Sequence, residues 1–403
     1  MTSPAAGERD PNDVDSFAPD GNRDASDIDS AQSSAGQAVS TLELFFDLVF
    51  VYTITQVTGV IDHDPGWLGA ARGCLILALL FWMYGAFIWL TNASGVASIG
   101  RTIMVLAGMA ALFVCSLAVP DAFGDGGIIF GAGYLALTLI HFIGYRRFGD
   151  PDGRRSILRM LPINAGGAGL ILISGWTHGI WDWVLWTVTA AGYLTVLLVQ
   201  PRMSGFRISA GHFAERHGLI IIIVLGESLA SIGVAASGEH LNGSLLVGAL
   251  CGFAASAAMW WAYFRADDTA AARQFEESQE HAVRLAGIGY NVSHLVMMIG
   301  IIGVAAGTRL RVGDLLGPST GAASTLIAGG AAIYLLGTAL FRVHLHYATA
   351  WPRVLGAAAC LATLPLGRVA GAGQELALIA GVIVLATLAD RLPRRAQPMS
   401  RLR

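Results

Sequence analysis

Apolar runs of about twenty residues recur along almost the whole 403-residue chain, and no other feature limits the possible folds so severely. Lipid offers nothing to a backbone N–H or C=O, so a segment inside it must satisfy these groups itself, as a helix does. The composition agrees: 54% of residues are hydrophobic and only 13% are charged, where soluble domains carry about a quarter charged residues. Spans are predicted near 42–60, 68–90, 101–119, 126–145, 157–175, 180–199, 212–235, 243–264, 283–306, 321–341, 350–367 and 373–390. The expected fold is an all-α polytopic membrane protein of about 12 transmembrane helices with short connections and no inserted soluble domain.

Residues 1–40 differ in kind, with eight acids against Arg9 and Arg23 and almost no aliphatic bulk. Such a segment cannot bury enough surface to offset the entropy of ordering, so a disordered acidic tail is expected, with no apolar stretch for a signal peptide. Residues 41–200 and 201–392 are read as two six-helix membrane units, and 393–403 as a basic tail.

All 25 basic residues are Arg, which excludes Schiff-base and Lys general-base chemistry. Threaded through twelve spans, 21 of them fall on one face, and only Arg72, Arg309, Arg311 and Arg368 fall opposite. Basic residues mark the cytoplasmic face, so both termini are expected in the cytoplasm. The four cysteines each stand alone in an apolar run and read as buried hydrophobes. Tryptophans near span ends, Trp82 and Trp186 among them, read as interface anchors. Asp267, Asp268, Glu276, Glu277 and Glu280 read as a solvated acidic loop.

Two runs carry acids where lipid would penalise them. Leu42-Glu43-Leu44-Phe45-Phe46-Asp47 opens the first span, and its two carboxylates lie about 6 Å apart along one helix face. Two readings compete there: a pair neutralised by an Arg such as Arg101, or a proton or cation site. The run from His212 to Ser228 holds His212, Glu215 and Arg216 on nearby faces of one helix end. An Arg216 pairing with Glu43 or Asp47 would lock the two units together. His212 and Glu215 also have metal-compatible spacing, but two ligands do not make a site. Glu227 lies twelve residues beyond Glu215, about 18 Å along the helix and close to mid-membrane. A carboxylate there needs a proton, a cation or water beside it. Gly226 and Ser228 suggest close approach of another helix, and His294 in span nine is a candidate partner.

The two units share features in the same order. Glu43 and Glu215 each open a long span, with Gln56 and Glu227 twelve or thirteen residues on. Trp82-Met83-Tyr84 matches Trp260-Trp261-Ala262-Tyr263, and Tyr134-Leu135 matches Tyr334-Leu335. An even number of spans separates each pair, so a parallel 6+6 internal repeat about an axis normal to the membrane is expected.

The motifs Leu42–Val51 and His212–Ser228, with Met259–Phe264 and Tyr290–Leu295, resemble the bacterial low-temperature-requirement protein A (LtrA) family over about residues 40–390. That resemblance implies a multi-pass protein of the bacterial inner membrane, linked to growth in the cold, and carries no molecular activity with it. About ten residues from Phe46 to Thr55 are also similar to the Phe-Ser-Asp signature of the endolysosomal-type potassium channel family, with Phe46 in place of the Ser, which implies a channel.

Three functions are therefore weighed. The first is a secondary transporter or cation/proton channel using Glu43, Asp47, His212, Glu215, Arg216, Glu227 and His294. The second is a membrane-embedded metal or acid–base enzyme acting on a lipid or isoprenoid through His212, Glu215 and His294, and the third a non-catalytic scaffold. Expected partners are membrane lipids, a proton or small cation, and further copies of the chain. No cofactor motif and no nucleic-acid signature is present.

Overall fold

A computed structural model describes residues 40–93, 98–199, 208–237, 240, 242–265, 267–277, 282–311, 314–346 and 348–390. The expected acidic and basic tails fall outside these residues, apart from Ser40. Among the described residues there is no β-strand. The first six helices are α1 (Thr41–His63), α2 (Trp67–Ala93), α3 (Ile99–Ala118), α4 (Gly127–Phe148), α5 (Pro151–Ser174) and α6 (Ile180–Val199). There follow α7 (Ala210–Ala236), α8 (Gly243–Phe264), the short α9 (Asp268–Glu277), and α10, which runs from Ala282–Arg284 through a π-helical stretch, Leu285–Val292, into Ser293–Arg309. The chain ends in α11 (Gly321–Leu345), α12 (Trp351–Leu361), α13 (Leu364–Val369) and α14 (Ala372–Ala389).

Among the described residues, eleven helices are long and apolar enough to cross a membrane. The exception is the span expected at 350–367, which is broken into α12 and α13. Pro365 at the start of α13 has no N–H to continue a helix from α12. The broken pair still runs the length of its neighbours. Arg353 in α12 reaches Asp390 at the end of α14, and the Gly367 carbonyl in α13 accepts from the Ser319 N–H beside the start of α11.

Local chemistry fixes several helix starts. Ser40 caps α1: its hydroxyl accepts from the Glu43 N–H while the Glu43 carboxylate accepts from the Ser40 N–H, a reciprocal capping box. Asp150 caps α5, with Pro151 in the first turn where a missing N–H costs nothing.

The order of neighbours recurs. In the first six helices α1 packs on α2 and α3, α4 on α3 and α5, and α6 on α5 and α2. The same relations hold when α7, α8, α10, α11, α12 and α14 are substituted in turn. The tightest pair is α10 with α11, where glycines replace side chains. A Cβ on Gly300 would lie 2.6 Å from the Gly330 carbonyl oxygen, and one on Gly330 2.6 Å from that of Gly300. Small residues of this kind let membrane helices approach backbone to backbone. The two sets of helices meet where α1 and α2 pack on α7 and α10.

Candidate functional site

The seam between α1 and α7 carries most of the residues singled out in the sequence. The two helices run parallel, because their contacts advance together from Glu43 with His212, through Asp47 with Arg216, to Thr55 with Glu227.

Near the helix starts, Arg216 of α7 lies between both acids of α1. It donates to Asp47 and sits 3.6 Å from the Glu43 carboxylate. Tyr84 of α2 donates to the same Asp47 oxygen at 2.7 Å, and His212 lies 3.3 Å from Glu43. All are buried: Arg216 and Asp47 are each 1% exposed and Glu43 4%. Arg101 donates to the Thr91 carbonyl oxygen beside this cluster and is attracted electrostatically by Glu43. Glu43 Oε1, Asp47 Oδ2, and Arg216 Nε and Nη1 make no hydrogen bond within the protein. The cluster is therefore an ion pair shared three ways rather than a saturated network, and such pairs return little of their desolvation cost.

Glu227 lies a dozen residues deeper, 6% exposed. One oxygen accepts from Thr55 of α1 at 2.7 Å and the other from Ser231, one turn along, at 2.9 Å. Among the described residues no Arg or His lies within ion-pair distance of it. His294 is not its partner. That imidazole bonds Tyr263 through Nε2 and the Tyr290 carbonyl oxygen through Nδ1, in an aromatic nest with His217 and Phe341. Gly226, expected at a close helix approach, is exposed and has open space around it.

Glu215 is exposed, turned away from the buried His212 and Arg216 beside it. His212, Glu215 and His294 are thus not brought together. Among the described residues no group of three or more His, Cys, Asp or Glu is placed to hold a metal.

Several polar residues escaped the sequence reading. Asp267 is not a solvated loop residue: it is fully buried and joins Arg342, Arg353 and Asp390 in a four-charge cluster that ties the end of α8 to α11, α12 and α14. Glu280 of that run lies outside the described residues; among the others Asp267 alone is buried, and only the later pair of arginines hints at it. Glu375, also fully buried, accepts from Ser324 at 2.8 Å and from Thr363. Trp186 is 1% exposed, packed on Phe123 and Phe130, and Trp82 stacks on Tyr193, so neither is a simple interface anchor.

These observations define a polytopic helical membrane protein whose two sets of helices are joined by buried charge. Comparison with known sequences narrows this. The chain belongs to the family described as bacterial low temperature requirement A protein (LtrA), whose profile matches residues 38–389. It is also similar to an uncharacterized protein of Rhizobium meliloti (strain 1021), at 27% identity over 313 residues, covering 73% of this chain and 75% of that one.

Proposed function

We propose that this LtrA-family protein is a transporter of the parallel two-repeat class that moves a proton or small cation, alone or coupled to another solute. Glu227 carries the reading. It is a carboxyl in the interior of a membrane span, between the helices that join the two sets, and hydroxyls rather than a cation hold it. Inside a membrane an acid in this setting takes up a proton or a cation, which is the chemistry of a transport site.

The parallel 6+6 repeat is part of the proposal. Thr55 and Glu227, in mutual contact, are each twelve residues beyond the acid that opens their helix, Glu43 and Glu215. Tyr134 donates to the Leu79 carbonyl oxygen and Tyr334 to that of Met259, the same link between corresponding helices. In this reading the Glu43–Asp47–Arg216 cluster closes one end of the seam, and the arginine bias places that end at the cytoplasmic face of the bacterial inner membrane.

The test is ion flux in proteoliposomes under pH and cation gradients, with wild type and Glu227→Gln. The reading expects flux above protein-free liposomes that falls at least about tenfold in the variant, the scale of losing one interaction with a charged group. Wild-type flux equal to that of empty liposomes would overturn it in favour of a scaffold.

A further inference from the structure

A cavity of about 90 Å³ lies away from the α1–α7 seam, between α2, α4, α5, α6 and the π-helical start of α10. Its volume is several times the roughly 10–15 Å³ that admits one water. Trp82, Trp89 and Tyr145 supply aromatic walls. At the inner end stand two side-chain amides, Asn164 and Asn291. Asn164 accepts the Trp82 indole N–H through its oxygen, which leaves its amide hydrogens to donate into the cavity. At the outer end is the exposed guanidinium of Arg284.

Three features select among occupants. No Asp or Glu lines the cavity, while exposed arginines stand on the neighbouring ends of α4 and α5 at 146, 147, 154, 155 and 159. That disfavours an organic cation, which aromatic walls alone would suit. The oxygens of Asn164 and Asn291 are already taken by Trp82 and His217, and their amide hydrogens would be left unpaired against an acyl chain, at a cost in affinity, so a lipid tail fits poorly. Finally, α10 is π-helical where it forms the wall, and widened turns of this kind gather at functional sites. Gly287, on that turn, keeps the wall thin: a Cβ there would press on Leu197 at 3.1 Å.

We infer that this cavity is a binding site for a small aromatic carboxylate: its ring lies between the tryptophans, its carboxylate meets Arg284, and a polar ring substituent meets Asn164. The site is separate from Glu227, and binding there does not require the transport reading to hold.

The test is equilibrium binding of radiolabelled 4-hydroxybenzoate to the full-length protein in detergent, with 4-hydroxybenzylammonium and decanoate as competitors. Saturable binding is expected, displaced by neither competitor at equal concentration. Arg284→Gln, on an exposed side chain, and Asn164→Leu should each weaken it about tenfold or more, the scale of one charge-assisted or buried hydrogen bond. Arg368→Gln, also exposed but outside the cavity lining, should match wild type. No saturable binding to wild type, displacement by the ammonium, stronger displacement by decanoate, or unchanged affinity in Arg284→Gln would each overturn the proposal.

Discussion

At the scale of single residues, the seam is governed by how two acids share one guanidinium. Removing Arg216 leaves Glu43 and Asp47 buried and facing each other, which costs about 3–5 kcal/mol. Arg216→Met should therefore lower the thermal midpoint of the purified protein sharply. The triple variant Glu43→Gln/Asp47→Asn/Arg216→Met should recover much of that loss, since a buried neutral amide costs far less to desolvate than a carboxylate. Tyr84→Phe removes one donor to Asp47 and should cost about 1–2 kcal/mol in the same unfolding measurement. The Arg216 pairing was legible because an arginine in an apolar helix start must find an acid, and Glu43 and Asp47 stood at the matching position. Tyr84 was not singled out as a partner of Asp47, nor Thr55 as a partner of Glu227. A hydroxyl carries no net charge, so nothing in a sequence separates one that serves a carboxylate from one that bonds its own backbone.

At the scale of helices, the apolar runs gave the elements with little ambiguity, because lipid leaves a backbone no alternative. The break between α12 and α13 was less legible. Pro365 lies in a stretch whose overall hydropathy still reads as one span, and only its missing N–H divides it. Packing was legible in part. Glycine-rich runs at 300–307 and 329–337 signal small-residue contact, but which of them face a partner depends on helix rotation. Gly300 and Gly330 do so, while Gly329 has open space around it. Gly300→Leu should therefore separate α10 from α11 and cost about 3 kcal/mol or more. Gly329→Ala should leave stability within about 0.5 kcal/mol of wild type or slightly raise it, as expected of a half-buried helical glycine with room for a methyl group. Thermal unfolding in one detergent, with both variants side by side, checks the contrast.

At the scale of the whole molecule, the corresponding neighbour orders of the two sets make two seams of different kinds. Between the sets two acids share one guanidinium; inside the second set, Asp267, Asp390, Arg342 and Arg353 balance charge for charge. On the proposed transport reading, the unbalanced seam is the one that opens. Unbalancing the four-charge cluster, as in Arg353→Met, which leaves Asp267 and Asp390 to share Arg342, should cost about 3–5 kcal/mol and lower the yield of folded protein, with flux per folded molecule unchanged on the same reading. The orientation drawn from arginine placement has its own check. Alkaline phosphatase fused after residue 390 should be inactive in cells, and a fusion within the α13–α14 connection should be active; the reverse pattern would invert the assigned orientation.

The π-helical stretch Leu285–Val292 has one further consequence. It holds about one residue more than an ordinary helix of the same rise, a stored slack that a local rewinding could release. Passing that residue toward the start of α10 would turn Ala282–Arg284 by about 100° about the helix axis while Ser293–Arg309 stayed fixed on α11. Arg284 would swing off the rim of the aromatic cavity, so the same few turns of backbone that shape the compartment also furnish a latch for it.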